Sequence, residues 1–218
     1  MRRSSPEPLP GPPQIRFKKG IAAETMRELA PLLAEEGIDV DNIEVQDMAT
    51  LQRAMDRAVE RHNMMLFTPV GRARELAAAT LRLTTEALAD GETTVAASIL
   101  DQTQPESPDH STPTVSACIG LALGLLDEWL SGRDPDAPAD LAHHARLGSG
   151  HWTGERAATD ILSLARKERA FSSLNTLMVR QGGELVLYGS ALAVSAAVQA
   201  WSRRAAVPLS ELARPKIA

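Results

Sequence analysis

Three of the chain's five histidines fall in one short stretch, DLAHHARLGSGHWTGE, Asp140 to Glu155. Histidine and aspartate ligate zinc or iron(II). With Leu141 to Leu147 helical, Asp140 and His144 lie four residues apart and share a face, and His143 is within reach of the same aspartate. His151 follows a Gly-Ser-Gly turn that can fold it back toward either. Asp140, His143, His144 and His151 are therefore the candidate metal ligands, with zinc or iron as the cofactor of this reading. The spacing argues against it. A metalloprotease helix places its histidines four apart, whereas these are adjacent and point about 100° apart. A polar helix end, with histidines favoured near the negative end of the helix dipole, is the structural reading, and it leaves the chain without a cofactor.

The other candidate surfaces are charged or apolar rather than catalytic. Arg53, Arg57 and Arg61 recur every four residues and line up as a basic stripe, the feature on which a DNA-binding regulator would rest. Asp56 and Glu60 are interspersed, which fits a salt-bridged surface better. A second group is acidic. Between Glu24 and Glu60 there are ten acidic and three basic residues, and Asp39, Asp41, Glu44 and Asp47 are its centre. The pattern starts like an EF-hand calcium loop but lacks the glycine and later ligands that loop requires, so it reads as a solvated acidic surface or a docking face for a basic partner. The third is GELVLYGSALAVSAAVQAW. Leu185 to Trp201 carries no charge, and Gly189, Ala193 and Ala197 repeat every four residues. Such a stripe lets another backbone approach closely. Together with Trp201 it is expected to mediate oligomerisation or to form a buried central helix. The segment is shorter and more polar than the roughly 20 apolar residues a membrane span needs.

No nucleophile elbow, Walker or Rossmann glycine pattern, or cysteine pair occurs, so catalysis is not indicated. The single cysteine, Cys118, sits in VSACIGLALGLL and reads as a buried apolar residue. With no possible internal disulfide, a cytoplasmic location is expected. A formal net charge of −5 provides no general attraction to nucleic acid or anionic membrane. Arginine far outnumbers lysine and alanine is abundant, a bacterial-looking composition.

Aromatics are only 3% of the 218 residues, so the core must be built from small and aliphatic side chains, which favours packed helices. The expected fold is mainly α, of α+β type, with a small N-terminal α/β unit followed by a C-terminal helical bundle. Residues 1–14 hold five prolines and no apolar signal core, and read as a disordered tail. Residues 15–100 form the expected α/β unit. Strands are suggested at IRFKKG and IDVDNIEV, NMMLF is open to either strand or helix, and helices begin near Ala23, Ala49 and Thr68-Pro69. Pro31 is expected to kink the first helix or to mark an early start. Residues 101–114, with three prolines in QPESPDHSTP, are the expected linker or long loop. Residues 115–213 are expected to be helical, including one long amphipathic helix over 155–181, and 214–218 a tail. The functional expectation is a non-catalytic bacterial interaction or regulatory module whose partner is itself or another protein. A metal-dependent enzyme and a DNA-binding regulator are the alternatives.

Overall fold

Leucine, methionine and alanine at helical spacing, separated by glycine and proline stops, dictate a chain of helices, and helices are what form. The computed structural model describes residues 14–15, 21–41, 43–44, 48–107, 111–145, 147 and 154–218, with only the backbone at 14–15, 21–22, 44 and 48. The Pro-rich stretch 1–13, Asp47, His151 and Trp152 lie outside the described residues. In chain order the elements are β1 (Gln14–Ile15), α1 (Ile21–Glu35), β2 (Ile43–Glu44), α2 (Met48–Phe67), α3 (Gly71–Ala89), α4 (Thr93–Leu100), α5 (Val115–Leu130), α6 (Leu141–His144), α7 (Glu155–Leu164), α8 (Ala170–Gln181), α9 (Gly183–Ala205) and α10 (Leu209–Lys216). The protein is mainly α. Two compact units, Met1–His62 and Asn63–Ala218, divide it within α2.

In the first unit Met26, Leu29 and Leu33 of α1 pack with Ile43 and with Ala58 of α2 into a small core. The helix runs on through Pro31. Gly37 ends it at φ 78°. The Ile38 amide donates to the Leu33 carbonyl at 2.9 Å and the Gly37 amide to Ala34 at 3.0 Å, a Schellman stop. The expected α/β unit does not form. Among the described residues, extended pairing amounts to the two-residue antiparallel match of β1 with β2 and an isolated bridge between Gln104 and Thr114. The physical reasons are local. The Asp39 carboxylate accepts from the Asp41 amide at 3.0 Å, turning the chain in the middle of the apparent alternation. Ile38 and Val40 pack on the helical core instead of facing a sheet. NMMLF continues α2 as helix.

The second unit is a bundle around α9. Fourteen residues of this helix are buried, and α7, α5, α3, α10, α6, α8 and α4 all pack on it. By length and composition α9 could cross a membrane, at a mean hydropathy of 1.4, yet 72% of that window is buried inside the protein. The chain's own helices are its apolar environment. Several boundaries follow the sequence closely. The Thr114 hydroxyl caps α5 by accepting from the Ala117 amide at 3.3 Å. Gly91 ends the α3 turn at φ 78°. Others differ. α3 starts at Gly71 after Val70, with no side-chain cap, rather than at Thr68-Pro69. The expected helix over 155–181 is two helices, broken at Ala165–Arg169. A continuous one would be about 40 Å long and would carry its second half off the core. The break lets Phe171, Leu174 and Leu177 return to the same cluster as Ile161 and Leu164. The stretch 101–114 joins α4 to α5 inside the second unit, closed by Gln104 amide to Pro113 carbonyl at 2.9 Å and Val115 amide to Gln104 carbonyl at 3.0 Å. The segment 214–218 is no loose tail, since it completes α10 and Ile217 is fully buried.

Candidate functional site

The histidine stretch brings fewer ligands together than its composition suggests. Asp140 stands at the start of α6, a single turn. Its Oδ2 lies 2.9 Å from His144 Nε2, and the Arg204 guanidinium from α9 also binds it, with Nε donating to Oδ1 at 3.3 Å. Burial alone would raise the Asp140 pKa. The Arg204 and His144 contacts outweigh it and hold the carboxyl below its ordinary range. The His143 and His144 rings meet edge to face at 5.2 Å. Among the described residues no group of three or more His, Cys, Asp and Glu is placed to hold a metal. His151 lies outside them. The aspartate thus spends its charge on an arginine, and the motif is a local tie between α6 and α9.

The basic stripe is likewise tied up. Arg57 donates to Glu36 through Nε at 2.9 Å and Nη2 at 2.5 Å, and Arg61 pairs with Glu35 and, at 3.3 Å, with Glu36. The Arg57 hydrogen bond, against a smaller opposing effect of burial, lowers the Glu36 pKa. Arg53 donates to Thr50 at 3.2 Å. Two of the three arginines therefore pin α1 to α2, and a phosphate backbone would have to compete with those carboxylates. Of the acidic group, Asp39 and Asp41 flank a tight turn and are solvent-facing. The Glu44 side chain and Asp47 lie outside the described residues.

The small-residue stripe of α9 faces inward. Ala193 and Ala197 are fully buried. A Cβ on Gly189 would lie 2.5 Å from Ala157 Cβ and 2.6 Å from the Ala158 nitrogen. The backbone that approaches the stripe is therefore α7 of the same chain. Trp201 is buried against Trp129, edge to face at 5.9 Å, with Lys216 Nζ 4.7 Å from the Trp201 ring centroid. Gly189, Ala193, Ala197 and Trp201 are core residues here, and the surface expected of them is not presented. Cys118 is also fully buried; desolvation pushes its thiol up to about 12, against a weaker opposing hydrogen bond from Thr80.

Two features of the second unit were not singled out in the sequence. The first is an exposed apolar run. Met64, Met65 and Leu66 at the end of α2 are 43%, 65% and 66% exposed, and Val70 just before α3 is 78% exposed. Beside it lies a groove of about 600 Å³, lined in part by Phe67, Pro69, Pro105 and Ala117. Gly120 makes this junction possible, since a Cβ there would lie only 2.6 Å from the Phe67 carbonyl carbon. The signal was NMMLFTPV, eight residues without a charge, which reads equally well as core. The second is a cavity of about 520 Å³ where α4, α5, α8 and α9 meet. There the Tyr188 hydroxyl donates to Asp101 Oδ1 at 2.5 Å. Their separation in sequence gives no local cue.

The chain matches no protein-family model, and no curated protein and no solved structure is significantly similar to it.

Proposed function

We propose that the protein is a non-catalytic interaction module that pairs with a second copy of itself through the segment Met64–Val70. The observation that carries this reading is the concentration of four exposed large apolar side chains within seven consecutive residues. Scattered exposed leucines are ordinary, whereas a contiguous apolar patch marks an interaction surface. Methionine suits such a surface because its flexible thioether adapts to a facing shape. The choice of a second copy follows from charge. In a two-fold dimer the same patch meets itself, so any net charge on it would face its own image. The run Asn63 to Gly71 carries none. Burial of two such patches removes apolar surface from water at about 25 cal/mol per Å².

Light scattering coupled to size-exclusion chromatography, across about 1–200 µM protein, tests it. The wild type is expected to shift from monomer to dimer with concentration. Met65→Asp and Leu66→Asp, both at exposed positions, are expected to remain monomeric with an unchanged circular dichroism spectrum. A wild type that is monomeric throughout, or aspartate variants that still dimerise, would sink the proposal.

A further inference from the structure

The cavity beside Tyr188 has a chemistry of its own. Its floor is apolar: Leu100 and Leu187 are buried at 1% and 2% exposure, and Tyr188 at 8%. Met178 and Val115 form part of its walls, and Asp101 and Glu184 stand at its rim. No lysine, arginine or histidine is among its described lining residues. Neither carboxylate has an ion pair among the described residues. Two of the hydroxyl donors that reach it are already engaged. The Tyr188 hydroxyl donates to Asp101 at 2.5 Å and the Thr103 hydroxyl to the Leu100 carbonyl at 2.8 Å.

The first turns of α5 and α9 also reach the cavity, through Val115, Ser116, Gly183 and Glu184. Each helix N-terminus contributes about half a positive charge. Two full carboxylate charges outweigh them, so the cavity remains negative. Its volume falls within the roughly 300–1,000 Å³ of small-molecule sites, with an apolar lining and a few convergent polar groups. Tyr188 also lines the cavity, and an aromatic ring attracts cations over its face. We propose that this cavity binds a small organic ammonium compound, its cationic head between Asp101 and Glu184 and its apolar body on Leu187, Met178 and Val115.

This site adjoins the groove beside the Met64–Val70 surface at Pro105 and Ser116, but its proposed ligand contacts are on other residues and do not depend on self-association. The test uses the full chain with phenethylammonium as probe, and with phenylacetate and 2-phenylethanol as its anionic and neutral counterparts. Binding is read by carbon-edited NMR on methyl-labelled protein. Phenethylammonium is expected to shift the Met178, Leu187 and Val115 methyls in a saturable way. It should bind at least fivefold tighter than either counterpart. Glu184→Gln, an exposed change in the first turn of α9, is expected to weaken it by about two- to fivefold, the size of a partly exposed ion pair. Equal binding of the three probes, tighter binding of phenylacetate, shifts confined to other methyls, or no saturation by about 10 mM would overturn the assignment.

Discussion

Replacing Gly189 with alanine adds a single methyl group where α9 meets α7. That methyl would lie 2.5 Å from Ala157 Cβ, 2.6 Å from the Ala158 nitrogen and 2.7 Å from the Ala157 carbonyl carbon. Carbon atoms in good contact sit about 3.5–4.0 Å apart, so the two helices must part by about 1 Å. Two of the three obstacles are backbone atoms and cannot rotate away. Overpacking of this kind costs about 1–3 kcal/mol, and here the upper end applies. Alanine in a helix recovers about 1 kcal/mol relative to glycine. The net expectation is a loss of about 2 kcal/mol, or roughly 4–8 °C in Tm for a chain of this size. Gly124 in α5 is the matched control. Nothing lies within 4 Å of the place a methyl would take there, so Gly124→Ala should gain about 0.5–1 kcal/mol. Urea unfolding followed by tryptophan fluorescence, with the buried Trp129–Trp201 pair among the reporters, measures both. If Gly189→Ala proves as stable as Gly124→Ala, the close approach of α7 and α9 is wrong.

Three further outcomes are expected. Cys118, buried and with its thiol raised to about 12, should react with Ellman's reagent at pH 8 at least 100-fold more slowly in native protein than in 8 M urea, because the thiolate is the reactive species; equal rates would refute the burial. Lys216 holds Asp134 at 2.8 Å, and Lys216→Met should cost about 2 kcal/mol at pH 7, the scale of losing a hydrogen bond to a buried charge. Burial is the largest single influence and raises the Asp134 pKa, but the Lys216 contacts together with the Asp136 and Ala137 backbone amides outweigh it and the net shift is downward. The contribution is therefore complete above the unfolded value near 4 and lost as the pH falls through the folded value. The variant's stability should fall less steeply below about pH 4 than the wild type's, and parallel acid limbs would contradict the pairing. Ser190 is fully buried and its hydroxyl has no partner among the described residues, so Ser190→Ala should raise the urea midpoint by an amount equivalent to about 1 kcal/mol; a destabilised variant would mean that the hydroxyl is satisfied.

Short-range signals were readable where the chemistry is local. Gly37, Gly91 and the Gly182 junction all mark helix ends in the sequence as they do in the fold. What could not be read depends on partners far along the chain. The alternation in IDVDNIEV resembles a strand, but a strand needs a neighbour, and the helical core captures Ile38 and Val40 instead. The amphipathic pattern over 155–181 is continuous, and only the position of the core decides that the helix must break near RKER. The α9 stripe was recognisable as a close-packing surface. That the packing partner is Ala157–Ala158 and not a second molecule is a tertiary fact. The same holds for the chemistry. The Asp140–His144 pair follows from spacing, but Arg204, which neutralises it, lies 64 residues away. Asp101 and Tyr188, 87 apart, had no local signature at all.

The packing of α3 has a consequence for how the protein is made. The helix, whose buried face includes Ala77, Leu81 and Thr84, packs against α4, α5, α9 and α10. The α9 helix begins roughly ninety residues after α3 ends. At about 5–20 residues per second, a growing chain carries that face without its central partner for roughly 5–20 s. During that interval the nascent chain is a natural client for chaperones that recognise exposed aliphatic helix faces. Slow codons placed after α3 would lengthen the exposure, so the yield of folded protein should depend on translation speed through this stretch.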